Sequence, residues 1–258
     1  MAGAGPRVAR RRLSSLLCLL GLLSGCATAP PRQPVADDAR HALGLLEARW
    51  HEFTDLRALA DIVLTRGGES HQFTGALLVK GPDSVRFEAL SPLGQPLLLV
   101  TVHEGRLTAY DAAKNEALVG PANAATIARV LGLPLDADAL VAVLAGRAVP
   151  PKDLRVAELV PADGLGPSLT LVGADRRQRV WMDLRTGEVQ QLEIDGGRFP
   201  VTITFRRDGE VWLGFDLRSE PANVTGSVIY RNVAVGAGID PERFTLALPK
   251  GAKTRNIR

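Results

Sequence analysis

A cysteine near the start of the chain stands where a lipid could be attached covalently. Cys26 ends the run Leu-Ser-Gly-Cys, which follows an apolar stretch over 13–23 and four arginines within 7–12. A positive segment, a short apolar segment and small residues before a cleavage point form a bacterial export signal. The apolar stretch is too short to cross a bilayer, which takes about 20 residues. An ordinary secretory signal would not need a cysteine there, so the sequence predicts a lipoprotein signal peptide over 1–25 and a lipid anchor on Cys26.

The segment after the anchor predicts a lipoprotein held away from the membrane surface. Residues 26–36 are rich in proline and small side chains, which is typical of a flexible tether, and a single folded domain is expected over 37–258. More than one acyl chain on Cys26, at about 0.8 kcal/mol per buried methylene, would hold the protein on its membrane. Ala27 after the cysteine is compatible with sorting to the bacterial outer membrane, where the domain would face the periplasm.

Charge and cysteine content narrow the function classes. Removal of the signal peptide takes away four arginines and lowers the formal charge from +3 to about −1, so composition gives no support for a nucleic-acid partner. Cys18 lies in the signal and Cys26 would be acylated, which leaves no pair for a disulfide. The domain must therefore be stabilised by its apolar core, and we expect a monomer.

Hydrophobic periodicity predicts a mainly β protein with a few helices. Apolar spacing favours one helix over 41–50 and a helical pair over 124–131 and 137–145, with Asn123 and Asp136 as caps. Short turns join the other periodic segments, so neighbouring strands should pair antiparallel. These predicted strands are 59–64, 73–80, 84–90, 96–102, 107–111, 154–159, 169–172, 179–183, 189–194, 201–205, 211–217 and 224–233.

Alternation along the strands separates an apolar face from a polar one. Taken alone, it favours an ordinary two-sheet sandwich whose apolar faces meet. About eleven or more strands curled around one interior would instead leave a space that helices could plug or cover. In that case the side chains expected to line a hydrophobic cavity are Phe73, Leu77, Val85, Phe87, Leu97, Leu99, Met182, Leu192, Ile194, Ile203, Phe205 and Phe215.

Two stretches carry a resemblance to a known family. Residues 77–95, containing Ser-Pro-Leu-Gly at 91–94, and the Leu-Gly-Leu-Pro-Leu run at 131–135 resemble the outer-membrane lipoprotein receptor LolB and other LolA/LolB-fold lipoproteins. The resemblance is best over 73–150. It implies a half-open antiparallel β-barrel of about 11 strands with helices as lid or plug. It also implies acylated lipoprotein cargo, delivered by a LolA-like periplasmic carrier and inserted into the outer membrane.

The same resemblance assigns a role to the turn formed by Pro92, Leu93 and Gly94. In the family an exposed leucine on this turn helps to place cargo in the membrane. A short loop between proline and glycine offers no core for a leucine, so an apolar tip could enter lipid. The alternative is that Leu93 folds back onto the rim of the barrel.

Catalysis has little support in the sequence. The four histidines, His41, His51, His71 and His103, lack the spacing of metal ligands, and no nucleophile elbow or phosphate-binding glycine loop is present. We therefore expect no enzyme activity, no metal and no cofactor. Two other functions remain open: binding of glycolipid or another amphiphile, since 240–249 is similar to other lipid-binding lipoproteins of this fold, and a non-transport scaffold with a packed interior.

Overall fold

The computed structural model describes residues 29–91, 93–133, 135–196, 199–209 and 211–257. The signal peptide and Cys26 therefore lie outside the described residues. The described residues form three α-helices: α1 (Asp37–His51), α2 (Ala124–Leu131) and α3 (Ala137–Leu144). The strands are β1 (Asp55–Arg66), β2 (Glu69–Lys80), β3 (Ser84–Leu90), β4 (Pro96–His103), β5 (Arg106–Asp111), β6 (Glu116–Pro121), β7 (Val156–Asp163), β8 (Gly166–Val172), β9 (Arg177–Met182), β10 (Val189–Asp195), β11 (Val201–Asp208), β12 (Val211–Ser219), β13 (Val224–Val235) and β14 (Lys253–Asn256).

All of these strands belong to one curled sheet that does not close into a barrel. Its order is β14-β6-β5-β4-β3-β2-β1-β13-β12-β11-β10-β9-β8-β7. Strands β1 to β6 form one half of the sheet and β7 to β13 the other, β1 pairs with β13 in the middle, and the C-terminal β14 is added at the β6 edge. The mainly β prediction is confirmed, and the two-sheet sandwich is wrong. The expected number of about 11 strands is corrected to 14. Pairing is antiparallel throughout except that β14 runs parallel to β6.

Two glycines permit close approach between neighbouring strands. A Cβ on Gly75 in β2 would lie 2.2 Å from the carbonyl oxygen of Glu88 in β3. A Cβ on Gly214 in β12 would lie 2.0 Å from the carbonyl oxygen of Val228 in β13, and its φ of +130° favours glycine. Glycine inside a strand marks a bend or a close backbone contact. These positions allow long strands to curl around one interior.

The helices lie on the concave side of the sheet or at its ends. α3 contacts β2 and β3, and Ala139, Leu140, Val141 and Val143 are buried in the common core. α2 begins as predicted, since Asn123 Oδ1 accepts from Thr126 N at 2.9 Å, and it ends at Gly132. α1 contacts β7 and β8.

The predicted cap on α3 is wrong, and residues of the expected tether contact the folded domain. Asp136 makes no side-chain cap on α3, and its carboxylate accepts instead from Ala124 N, the first residue of α2, at 3.1 Å. In the expected tether, Gln33 N donates to the carbonyl oxygen of Arg155 at 2.8 Å, and Arg155 Nη1 donates to that of Pro30 at 3.1 Å. Contacts with the folded domain therefore begin inside 26–36.

Candidate functional site

Most of the predicted cavity residues lie on the concave face of the sheet. The register pairs Leu77 with Phe87 and Leu192 with Ile203, which brings their side chains to the same face. Phe73 and Phe87 are half-buried, whereas the others on this face are buried in one continuous cluster: Leu77, Val85, Met182, Leu192, Ile194, Ile203, Phe205 and Phe215. The concave face is thus a packed core around α3.

The placement of Leu97 and Leu99 in the cavity is wrong. In β4, Leu98 pairs with Ala89 and Val100 with Phe87, so the even-numbered residues face the core. Leu97 is 46% exposed on the convex side. The run Leu-Leu-Leu-Val at 97–100 does not alternate between apolar and polar residues, so the sequence does not indicate which face is buried. The pairing register with β3 decides it.

Open space lies at one end of the sheet, beside α2. We call this the loop end, because the β1–β2, β3–β4 and β5–β6 loops are all found there. A groove of about 520 Å³ is present between α2 and strands β4, β5 and β6, and we call it the α2 groove. Its apolar lining consists of Leu98, Val100, Ala109, Ala117, Leu118, Val130 and Leu131.

Charged side chains surround the apolar lining of the α2 groove. Lys114 Nζ donates to Asp111 Oδ2 at 2.7 Å, and this hydrogen bond is the main cause that lowers the pKa of Asp111. Arg129, Lys253 and Arg255 also line the groove, so positive groups outnumber negative ones there. An apolar floor with a few polar groups is typical of a ligand site. The arrangement suits a molecule with an apolar tail and a polar or anionic head.

A second opening lies on the other side of α2. It has a volume of about 330 Å³ and is lined by residues of α2, including Ala125 and Ala128, and by Val201, Leu217 and Val224 from the other half of the sheet. Arg129 lines both openings. An eight-residue helix therefore separates two spaces at the loop end. Its contacts to the sheet include the fully buried Ile127.

Leu93 extends from the β3–β4 loop at the same end and is 88% exposed. The loop is closed tightly, since Ser91 N donates to the carbonyl oxygen of Gln95 and Gly94 N to that of Ser91, each at 2.8 Å. Gly94 has a φ of +77°, as a tight turn requires. Pro92 lies outside the described residues. The sequence predicts this exposed tip but not the groove, because Val130 and Leu131 have the same helical spacing as core residues.

Solved structures with a similar fold place the chain among known architectures. A LolA superfamily protein from Nitrosomonas europaea is 12% identical, with a TM-score of 0.57 over 82% of this chain and 99% of that chain. A domain from Vibrio parahaemolyticus assigned to outer-membrane lipoprotein sorting is also 12% identical, with a TM-score of 0.57 over 80% and 97% of the two chains. A DUF1329 family protein from Desulfovibrio piger is 14% identical, with a TM-score of 0.57 over 83% and 98%.

These likenesses show that the chain has a LolA/LolB-like fold, which confirms the resemblance found in the sequence at the level of fold. No family model matches the sequence, and no curated protein sequence matches it significantly. Among the described residues, no helix is long and apolar enough to span a membrane. In the same part of the chain, no three His, Cys, Asp or Glu side chains are grouped as metal ligands would be.

Proposed function

We propose that this protein is an outer-membrane lipoprotein, anchored through Cys26 and facing the periplasm, that binds the acyl chains of lipoproteins and helps to insert them into the membrane. The observation that carries the proposal is the position of the α2 groove and Leu93 at the same end of a LolA/LolB-like sheet. Binding and release of this kind make or break no covalent bond. A LolA-like carrier would deliver the cargo.

The α2 groove supplies the binding site in this proposal. Its volume of about 520 Å³ falls within the range of about 300–1,000 Å³ that ligand pockets occupy. Each methylene removed from water contributes about 0.8 kcal/mol, so an acyl chain lying along Leu98, Leu118 and Val130 would gain free energy with every carbon it buries. The polar end of the cargo would remain at the charged rim.

Transfer to the membrane follows from differences in buried apolar area. A chain leaves a carrier for this groove if the groove covers more of its surface, and a difference of about 1.4 kcal/mol gives a tenfold bias. Lipid covers the chain more completely still, so release into the bilayer is downhill. Leu93, at the same end of the sheet as the groove, would bring the bound chain to the bilayer surface.

Native mass spectrometry with lipid extraction tests the binding step. The chain from residue 26 with Cys26→Ser, purified from a bacterial periplasm, should carry acyl species or take up a triacylated lipopeptide. Val130→Trp fills the groove from a half-buried helix position and should abolish uptake. Val211→Trp makes the same substitution at a 59% exposed site on the opposite end of the sheet and should leave uptake unchanged.

A specific observation favours a second candidate, a scaffold lipoprotein that transports nothing. The concave face, which the resemblance expected to be a cavity, is a packed core that includes Met182, Ile203 and Phe215. A protein that stays free of lipid after incubation with triacylated lipopeptide would support the scaffold. Uptake of glycolipid in place of lipopeptide would instead identify a binder of another amphiphile.

A further inference from the structure

Three arginines gather in a pocket at the end of the sheet opposite the loop end. The pocket has a volume of about 320 Å³, and its lining includes Arg49 from α1, Arg147 from the segment after α3 and Arg207 from β11. We call it the arginine pocket. Among the described residues that line the pocket, Glu188 is the only acidic one. Its Oε1 lies 3.3 Å from Arg49 Nη2 and 3.9 Å from Arg207 Nη1. One carboxylate thus forms ion pairs with two of the three guanidinium groups.

Arg147 has no carboxylate partner among the described residues. Its guanidinium carbon lies 5.7 Å from the centre of the Phe53 ring, a contact with an aromatic face. Burial is the main cause that lowers the pKa of Arg147, and the charges of Arg49 and Arg207 lower it further. The charge of Glu52 acts in the opposite direction, so Arg147 is a half-buried cation with only a distant carboxylate and no direct ion pair among the described residues.

Two buried hydrogen-bond donors on lining residues are also unpaired. Arg207 Nε and Trp212 Nε1 have no hydrogen-bond partner in the part of the chain that the structure describes. Trp212 is only 8% exposed, and the guanidinium carbon of Arg207 lies 5.2 Å from the centre of its ring. A buried donor without an acceptor costs free energy, so folded proteins almost always provide a partner. The two unpaired donors therefore add to the excess of hydrogen-bond donors around the arginine pocket.

The charges of the lining define the kind of ligand. Arg49, Arg147 and Arg207 against Glu188 leave two positive charges in surplus, and Glu52, 3.4 Å from Arg49 at the end of α1, reduces the surplus to one. A phosphate monoester carries about −1.5 to −2 near neutral pH and offers three acceptor oxygens. Guanidinium groups pair with phosphate oxygens in a bidentate geometry. We infer that the arginine pocket is a binding site for a phosphate group.

The rest of the lining indicates what the phosphate is attached to. Leu46, Leu56, Val189 and Val235 are apolar and lie beside the charged groups. They suit a phosphate monoester attached to an apolar group, as in the headgroup region of phosphatidic acid. Free phosphate would satisfy the same arginines. This site lies at the other end of the sheet from the α2 groove, so it is separate from the proposed acyl-chain site.

Calorimetric titration of the chain from residue 26 with Cys26→Ser tests the inference. The probes are inorganic phosphate, the short-chain lipid dihexanoyl phosphatidic acid and, as the headgroup control, dihexanoyl phosphatidylcholine. Arg147→Gln should weaken phosphate or phosphatidic acid binding at least tenfold. Arg185→Gln removes the same charge from a nearby turn, where the side chain is 88% exposed, and should change binding less than twofold.

Folding of the test variant is checked separately. Arg147→Gln breaks no ion pair among the described residues, and relief of repulsion from Arg49 and Arg207 offsets loss of the Phe53 contact and of the attraction to Glu52, so its thermal midpoint without ligand should stay close to that of the parent. Phosphate should raise the midpoint of the parent more than that of the variant.

The outcomes separate the sources of the ligand. Equal binding of inorganic phosphate and phosphatidic acid supports a free-phosphate site, and binding of phosphatidic acid alone supports a phospholipid headgroup. The inference is overturned if neither binds, if phosphatidylcholine binds as well as phosphatidic acid, or if Arg147→Gln binds like the parent. Val130→Trp should leave phosphate binding intact, so a failure of the acyl-chain proposal is distinguishable from a failure here.

Discussion

Replacement of Leu93 by alanine should weaken membrane binding without affecting the fold. The side chain is 88% exposed, so almost all of its apolar surface is free to enter lipid. Leu93→Ala removes three carbons, and their transfer from water to an apolar environment contributes about 2 kcal/mol. That difference corresponds to about 30-fold weaker partitioning into a bilayer. An exposed position away from the core should change the free energy of unfolding by no more than about 0.5 kcal/mol.

Vesicle co-sedimentation of the chain from residue 26 with Cys26→Ser measures this effect. Without its own acyl anchor, the protein reaches vesicles of phosphatidylethanolamine and phosphatidylglycerol only through its surface. Leu165 provides a matched control, since it is a 50% exposed leucine in a turn next to Gly166 at the opposite end of the sheet. Leu165→Ala should change partitioning less than about twofold.

Two results would refute the assignment of Leu93 as a membrane tip. The first is a Leu93→Ala protein that partitions like the parent. The second is an equal loss on Leu165→Ala, because general apolar exposure, and not the β3–β4 loop, would then carry membrane binding. A chemical denaturation curve for each variant separates loss of partitioning from loss of folding.

Three further predictions test the packing and the turns, and the first two each have a control substitution. Ile203→Ala should lower the free energy of unfolding by about 3 kcal/mol, because the interior is packed. The control Ile229→Ala, at a 43% exposed site, should lower it by less than about 1 kcal/mol. Similar losses for the two variants would contradict a packed concave face. Gly75→Ala should destabilise the fold by about 3 kcal/mol, because its Cβ would meet the backbone of a neighbouring strand. The Cβ of Gly44→Ala in α1 meets nothing within 4 Å, so this control should stabilise the fold by about 0.5–1 kcal/mol. Denaturant titration measures both changes, and a Gly75→Ala variant as stable as the parent would refute the close approach. Hydrogen bonds from backbone N–H groups of its turn are the main cause that lowers the pKa of Asp183. The ionised carboxylate therefore stabilises the fold above the ordinary pKa of 3.8, and this stabilisation is lost as pH falls through the folded-state pKa. Asp183→Asn should make the loss of stability with falling pH less steep, and an unchanged acid transition would contradict this.

The positions of most strands could be predicted because alternation and turn residues are local signals. β3 at Ser84–Leu90 and α2 at Ala124–Leu131 begin and end where the pattern places them. β14 at Lys253–Asn256 was missed since it is short, polar and exposed along its whole length. It is a strand because its main chain pairs in parallel with β6. Main-chain pairing requires no hydrophobic pattern, so the sequence carries no signal for it. β6 was missed because it is short and ends in Gly-Pro.

The candidate site was only partly predictable. Leu93 could be found because a leucine between proline and glycine in a short loop has no core to enter. The α2 groove and the arginine pocket could not, because each collects residues from distant parts of the chain. Arg49, Arg147 and Arg207 are separated by 98 and 60 residues, and each alone resembles an ordinary solvated arginine.

The sequence by itself determined which segments have the hydrophobic periodicity of strands or helices and where the turns between strands lie. It also predicts a lipid anchor from the Leu-Ser-Gly-Cys run. All of these signals depend on residues within about ten positions of one another. Only the tertiary structure decided that β1 pairs with β13 to join two half-sheets, that Asp136 binds the start of α2, and that Leu97 faces outward while Leu98 lines a groove. Register and sheet curvature are set by the contact of one strand with another. A single strand therefore does not reveal whether its apolar face meets a helix, a cavity or the solvent.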